Sequence, residues 1–231
     1  LTDDDRPRTR VTAQTLDESE GERAAHCSSV QRVSSPRVRE LLDAARPETW
    51  SKIATYLDAS ERPLLYIGGG VHAAGAYAPL LELSRCADVP VVSSLNGLGA
   101  YPADDPRFLG MLGMHGAPYA NHATEEADLV LAVGARFDDR ATGNPELFCR
   151  NARIIHIDVD PRELGKIKPI ELGVASDARA ALARLCELVT RQQRPRWQAR
   201  IAALRAERPL VLFGHGCGFL QRLAAELDRH T

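Results

Sequence analysis

Leu129-Val130-Leu131-Ala132-Val133, running straight into Gly134-Ala135-Arg136-Phe137-Asp138-Asp139-Arg140, is the stretch on which the fold turns. Five apolar residues without polar alternation fit a strand covered on both faces, the mark of a parallel sheet. Gly134 then releases the chain. The arginines and aspartates that follow stand at the strand's C-terminal end, where open α/β sheets bind ligands. A guanidinium forks naturally onto a diphosphate or carboxylate, and neighbouring aspartates hold its orientation. A solvated charged turn is the competing reading.

The pattern repeats outward from this stretch. Leu64–Ile67 predicts a strand ending in Gly68-Gly69-Gly70, and Ala73–Ala87 a helix. Val89–Leu95 predicts a second strand, with Pro90 at its start, where a missing N–H is tolerable. Helix Tyr119–Ala127, strand Arg153–Asp158 and short strand Leu172–Ala175 follow. Helix Ala178–Thr190 comes next, N-capped by Asp177. Leu109–Gly116 reads as a glycine-hinged loop carrying Met114 and His115. Strands alternating with helices give the expected fold class: α/β, a doubly wound, mainly parallel Rossmann-like sheet.

Around that core, residues 1–36 are polar, lack a sustained period and are expected to be a disordered extension. Residues 37–60 predict a helical lead-in of two short helices, 61–192 the central nucleotide-binding domain, and 193–231 a helical tail that includes Trp197–Glu207. Within the tail, Pro209–Phe219 imitates a nucleotide fingerprint. Phe219, however, takes the place of the third glycine, where helix–strand packing needs a small residue.

The 231 residues carry a net charge of −2, which gives no long-range reason to expect nucleic acid or an anionic membrane as partner. Five scattered cysteines include no C-x-x-C pair, so neither a disulfide framework nor a structural zinc site is expected. Cys86 and Cys186 fall in helical apolar patterns and read as core. No apolar run approaches the roughly 18 residues of a membrane span. The acidic start Leu1-Thr2-Asp3-Asp4-Asp5 is unlike a targeting peptide, and the expected location is cytoplasmic.

Each strand end offers a functional and a structural reading. Gly68, Gly69 and Gly70 let backbone approach a phosphate or flat ring, or simply make a tight turn. Ser94 and Leu95, in Ser93–Gly99, suit a sugar or flavin, or cap a turn. Met114 is too polar-flanked for plain core filling, and His115 has no partner at metal-ligand spacing. Asp158 and Asp177 accept from a ribose in one reading and cap helices or turns in the other. One elongated phosphate-containing ligand explains five such strand ends together.

These pieces, taken with Gly97–Tyr101, Tyr119-Ala120-Asn121, His156–Asp160 and Glu163-Leu164-Gly165-Lys166, resemble the central domain of acetohydroxyacid (acetolactate) synthase large subunits. The resemblance runs from about Arg62 to about Leu204. It implies FAD bound in extended form by Gly68, Gly69, Gly70, Ser94, Leu95, Met114, His115, Gly134, Arg136, Asp138, Asp158, Val159, Glu163 and Asp177. It further implies that Met114 and Arg140 face the reaction chamber, Arg140 positioning the carboxylate of a second 2-oxo acid. The family reaction condenses pyruvate with pyruvate or 2-oxobutanoate. Thiamine diphosphate and magnesium are held by flanking domains that this sequence does not resemble, so a partial subunit, inactive alone, is expected. A homodimer and a regulatory subunit are the implied partners of the full enzyme. A non-catalytic flavin or nucleotide module, or the central domain of another thiamine diphosphate decarboxylase, is the alternative. Two departures from the family pattern are Ser94-Leu95-Asn96 for Thr-Leu-Met and Ser176 for the glycine before Asp177.

Overall fold

Six parallel strands hydrogen-bond in the order β3-β2-β1-β4-β5-β6 in the computed structural model, which describes residues 46–210. They are β1 (Pro63–Ile67), β2 (Val91–Ser93), β3 (Phe108–Met111), β4 (Leu129–Val133), β5 (Arg153–Asp158) and β6 (Leu172–Ala175). The helices are α1 (Pro47–Ala59), α2 (Gly69–Ala73), α3 (Tyr77–Ala87), α4 (Pro118–Glu126), α5 (Asp139–Thr142), α6 (Ala178–Leu188) and α7 (Pro195–Glu207). The chain steps outward from β1 to β3, then returns to lay β4 on the other side of β1. This reversal leaves a crevice at the C-terminal ends of β1 and β4, the usual ligand position in such sheets.

Alternate strand residues feed two cores, because successive side chains point to opposite faces. Leu65, Ile67, Leu131, Val133, Ile155 and Ile157 pack beneath α1, α3 and α6. Leu64, Tyr66, Val130, Ala132 and Ile154 pack beneath α4 and α7, with Trp197, Ile201 and Leu204 of α7 fully engaged. Both β1 and β4 are buried at every residue, which is why their sequences lack alternation. The doubly wound parallel sheet expected from the sequence is the fold observed.

Several boundaries differ from expectation for local reasons. The helix expected over Ala73–Ala87 is two helices, broken at Gly75, which adopts φ +57. The strand expected to reach Leu95 ends at Ser93 and gives way to a 3-10 turn, Leu95–Gly97. Phe108–Met111 is an edge strand where a glycine-hinged loop was expected. Gly110, at φ +77, sits within it and obscures the strand signal. Cys86 and Cys186 are only half-buried, whereas Cys149 is buried. Asp177 caps α6 as read, its carboxylate accepting from the Ala180 N–H at 3.0 Å. The expected extension, the first lead-in helix and the fingerprint-like tail beyond 210 lie outside the described residues. No helix among the described residues is long and apolar enough to cross a membrane.

Candidate functional site at the C-terminal rim

Because all six strands run the same way, every strand-end segment read as a site emerges on one rim. Gly69, Met114, Arg136 and Asp158 therefore share an edge. The loops are laced together just above the sheet. Ser94 N–H donates to Ile67 O (2.9 Å), Leu112 N–H to Ser93 O (3.1 Å), Gly68 N–H to Val133 O (3.1 Å), Gly134 N–H to Ile157 O (2.8 Å) and Ser176 N–H to Asp158 O (2.9 Å).

The glycines at the crevice have a packing reason. A Cβ on Gly68 would lie 2.3 Å from Gly134 O, and one on Gly70 2.6 Å from the Gly134 Cα. Gly134 itself adopts φ +55. The loops after β1 and β4 thus cross backbone to backbone, and the Gly68 and Gly70 N–H groups are engaged by Val133 O and Gly134 O. Gly69, half-buried, is the member of the triplet whose added Cβ meets only the Asn96 Cβ, at 3.3 Å, and Asn96 O.

From Gly134 the chain does not leave the sheet but sweeps back over it. Tyr66, on β1, donates its hydroxyl to Arg136 O at 3.0 Å. Asp138 caps α5, accepting from the Ala141 N–H at 3.0 Å. Arg140 O then accepts from the Met114 N–H at 2.9 Å, and a Cβ on Gly113 would meet that same carbonyl at 2.3 Å. Asn121 fixes the other side of this loop, its amide accepting from Gly113 N–H (2.7 Å) and donating to Gly113 O (3.0 Å). The Met-His loop and the Arg-Phe-Asp-Asp-Arg segment, far apart in sequence, are consequently neighbours.

Their side chains face water. Met114 is 68% exposed and Leu95 69%, with Val159 at 52%, so three large apolar groups stand on the rim without a cover among the described residues. Arg136, Asp138 and Arg140 are exposed, as is His115. Arg140 has only a long 3.9 Å approach to Asp139, and Arg136 forms no ion pair among the described residues. Asp160 is held down at about 2, first by the Arg162 side chain and then its N–H, with a distant contribution from Arg136.

The acidic candidates are more committed. Asp158 accepts from the Asp160 N–H at 2.9 Å, and Glu163 pairs with Lys166 at 3.0 Å. Asp138 and Asp177 are helix caps. Each retains a partly exposed carboxylate, but none is a free group awaiting a ligand. No group of three or more His, Cys, Asp or Glu able to hold a metal occurs among the described residues.

Tyr66, Phe137, His156 and Asn121 stand in stretches quoted from the sequence but were given no role of their own there, yet they hold the rim segments in place. Apolar and buried polar supports carry no motif of their own. The one available signal was an aromatic and a histidine, Tyr66 and His156, inside otherwise aliphatic strands.

A family model described as "Thiamine pyrophosphate enzyme, central domain" matches residues 50–185, more than half of the chain. The large subunit of acetolactate synthase isozyme 1 of Escherichia coli K12 is 46% identical over 156 residues, covering 68% of this chain and 27% of its own length. Chloroplastic acetolactate synthase 1 of Zea mays is 42% identical over 153 residues, 66% of this chain and 22% of its own. The Haemophilus influenzae acetolactate synthase large subunit is 46% identical over 123 residues, 53% of this chain and 22% of its own. The chain thus spans about a quarter of the length of the curated relatives it matches. It belongs to the thiamine pyrophosphate enzyme family, carries that family's central domain, and has acetolactate synthase large subunits among its relatives.

Proposed function

We propose that this chain supplies the FAD-binding central domain of an acetolactate synthase. That enzyme is a carboligase joining pyruvate to a second 2-oxo acid in branched-chain amino acid biosynthesis. In this reading the dinucleotide lies extended along the rim. Arg136 meets the diphosphate, and Gly69, Ser94 and His115 lie along its length. Leu95, Met114 and Val159 offer apolar surface to flat rings. Arg140 turns toward the reaction chamber with Met114 and holds the acceptor carboxylate, a task suited to a guanidinium fork. Thiamine diphosphate, when bound, supplies carbanion stabilisation. In this reading it and magnesium are held outside this domain. The assembled enzyme is a cytoplasmic homodimer with a regulatory subunit.

The observation that carries this reading is a pair of exposed arginines, Arg136 and Arg140. A single backbone-anchored segment presents both at the point where the sheet reverses its order. The flavin reading also fits the chemistry of the rim: one cation without an ion pair among the described residues, beside apolar platforms too exposed to serve the core. Flavin-fluorescence titration tests it. Arg136→Ala is expected to weaken FAD binding about ten-fold or more, the scale of a charge-assisted hydrogen bond. Arg140→Ala is expected to change it far less. Equal titrations for the two variants would remove these assignments. Acetolactate formed from pyruvate by the chain alone, with thiamine diphosphate, magnesium and FAD, would overturn the placing of the thiamine chemistry outside this domain.

A further inference from the structure

On the face of the sheet beneath α4 and α7, Tyr66, Ala132 and His156 stand in register on adjacent strands β1, β4 and β5. Phe137, coming from the rim segment above, meets both outer rings edge-on: Tyr66 at 5.6 Å and 69°, His156 at 5.1 Å and 86°. Ala132 between them is small enough to leave the opening that Phe137 enters. All four side chains are buried, Phe137 at 4% exposure and the others at none. The Tyr66 hydroxyl holds the carbonyl of the preceding residue, Arg136. We propose that Tyr66 and His156 are positioning residues: together they grip Phe137 and the Arg136 carbonyl, and so fix where the rim presents Arg136 and, through the Met114 N–H on Arg140 O, Arg140.

Three physical features set this arrangement apart from ordinary core packing. A phenylalanine would fill the Tyr66 site equally well but would leave the Arg136 carbonyl without its donor. Burial, reinforced by the nearby Asp138 charge, pushes the Tyr66 phenol upward, so its hydroxyl keeps its proton and remains a donor. His156 is an unexpected side chain for its place, because neither ring nitrogen makes a well-formed hydrogen bond. Burial also pushes its pKa down, opposed by Asp158, by a backbone contact at Ala135 and by Glu163. The ring therefore meets Phe137 as a neutral aromatic partner, in the edge-to-face arrangement that aromatic pairs favour.

The grip exists whatever the rim binds; its consequence for affinity rests on the FAD reading. The test has two arms on the full chain. Tyr66→Phe keeps the ring and deletes the hydroxyl. Hydrogen exchange is expected to accelerate about three- to ten-fold at Met114, Ala141, Thr142 and Gly143, the range of one lost neutral hydrogen bond, with Leu129–Val133 unchanged. Unchanged exchange at those four amides would overturn the proposal. In the second arm, Tyr66→Phe is expected to weaken FAD binding by a similar factor in the native background and by less than about two-fold in an Arg136→Ala background, since residues acting through one another are non-additive. The same factor in both backgrounds would also overturn it. If the unmutated chain binds no FAD, the cofactor reading falls while the exchange arm still decides the grip.

Discussion

The two ends of the sheet are built from the same residue types and put them to opposite uses. At the N-terminal edge, a set of aspartates and arginines is engaged with the fold. Asp88, itself at φ +52 and nearly buried, accepts from Arg107 Nε (3.0 Å), Gln198 Nε2 (3.1 Å) and the Arg194 N–H (2.8 Å). Asp105 would be raised by burial, but the Arg107 N–H and the Arg85 guanidinium hold its pKa below the usual carboxylate range. Asp128 ties the turn before β1 through the Glu61 and Arg62 N–H groups. At the C-terminal rim, Arg136 and Arg140 are exposed with almost no side-chain partner, and their segment is tied through its backbone groups instead. One end closes the fold. The other leaves two arginines exposed.

The sharpest break in that comparison is Arg194. Its guanidinium is 6% exposed and donates to Ala87 O, to Leu57 O (2.6 Å) and to Ser60 O (3.3 Å), closing the C-terminal ends of α3 and α1 at once. Burial lowers its pKa, with Asp88, Asp58 and Asp128 opposing. It is a cation held in place by carbonyls rather than a solvated one. Arg194→Ala is expected to cost about 3–5 kcal/mol, because several buried carbonyls lose their donors together. Urea unfolding measures this, and a loss under 1 kcal/mol would show that water replaces the side chain freely.

A smaller effect sharpens the comparison from inside the sheet. His156 has a depressed folded-state pKa, first from burial, against a reference of 6.5. Below that value the unfolded chain takes up a proton that the folded chain refuses. Its contribution is complete above about pH 6.5 and is lost as the pH falls toward the folded value. The slope per group is at most about 1.4 kcal/mol per pH unit. Urea midpoints are expected to fall further between pH 7 and 5.5 in the native chain than in His156→Phe. Parallel profiles would mean that the ring is protonated without penalty.

How much of this was legible in the sequence follows the same division. β4 was readable to the residue, because a strand covered on both faces is apolar throughout, and β5 through its buried isoleucines, Ile154, Ile155 and Ile157. β3 was not. It lies at the sheet edge, only Leu109 of it is buried, and Gly110 weakens its pattern. At the rim, Arg136 and Asp158 drew notice because polar residues after a buried strand are conspicuous, and Met114 because an apolar side chain on a glycine-flanked loop is not core. The role of Gly68 and Gly70 was only half legible. Three glycines announce a close approach of backbone, but not that the approaching body is Gly134. The roles of Tyr66 and Phe137 were not legible, for the reason that core residues' roles are not: their meaning lies in a partner about 70 residues away.

The smallest expected effect on stability tests the open end most directly. Arg136 and Arg140 have no well-formed ion pair to lose, and exposed side chains of that kind contribute little to folding. Arg136→Ala and Arg140→Ala are each expected to shift the unfolding free energy by no more than about 0.5 kcal/mol in the absence of ligand. If FAD is the occupant, the native chain gains stability with added FAD in proportion to the logarithm of saturation, and Arg136→Ala forfeits most of that gain because its affinity is lower. Were Arg136→Ala to destabilise the ligand-free chain by 2 kcal/mol or more, the guanidinium would belong to the fold rather than to a ligand. The contrast between the two ends of the sheet would then be one of degree only.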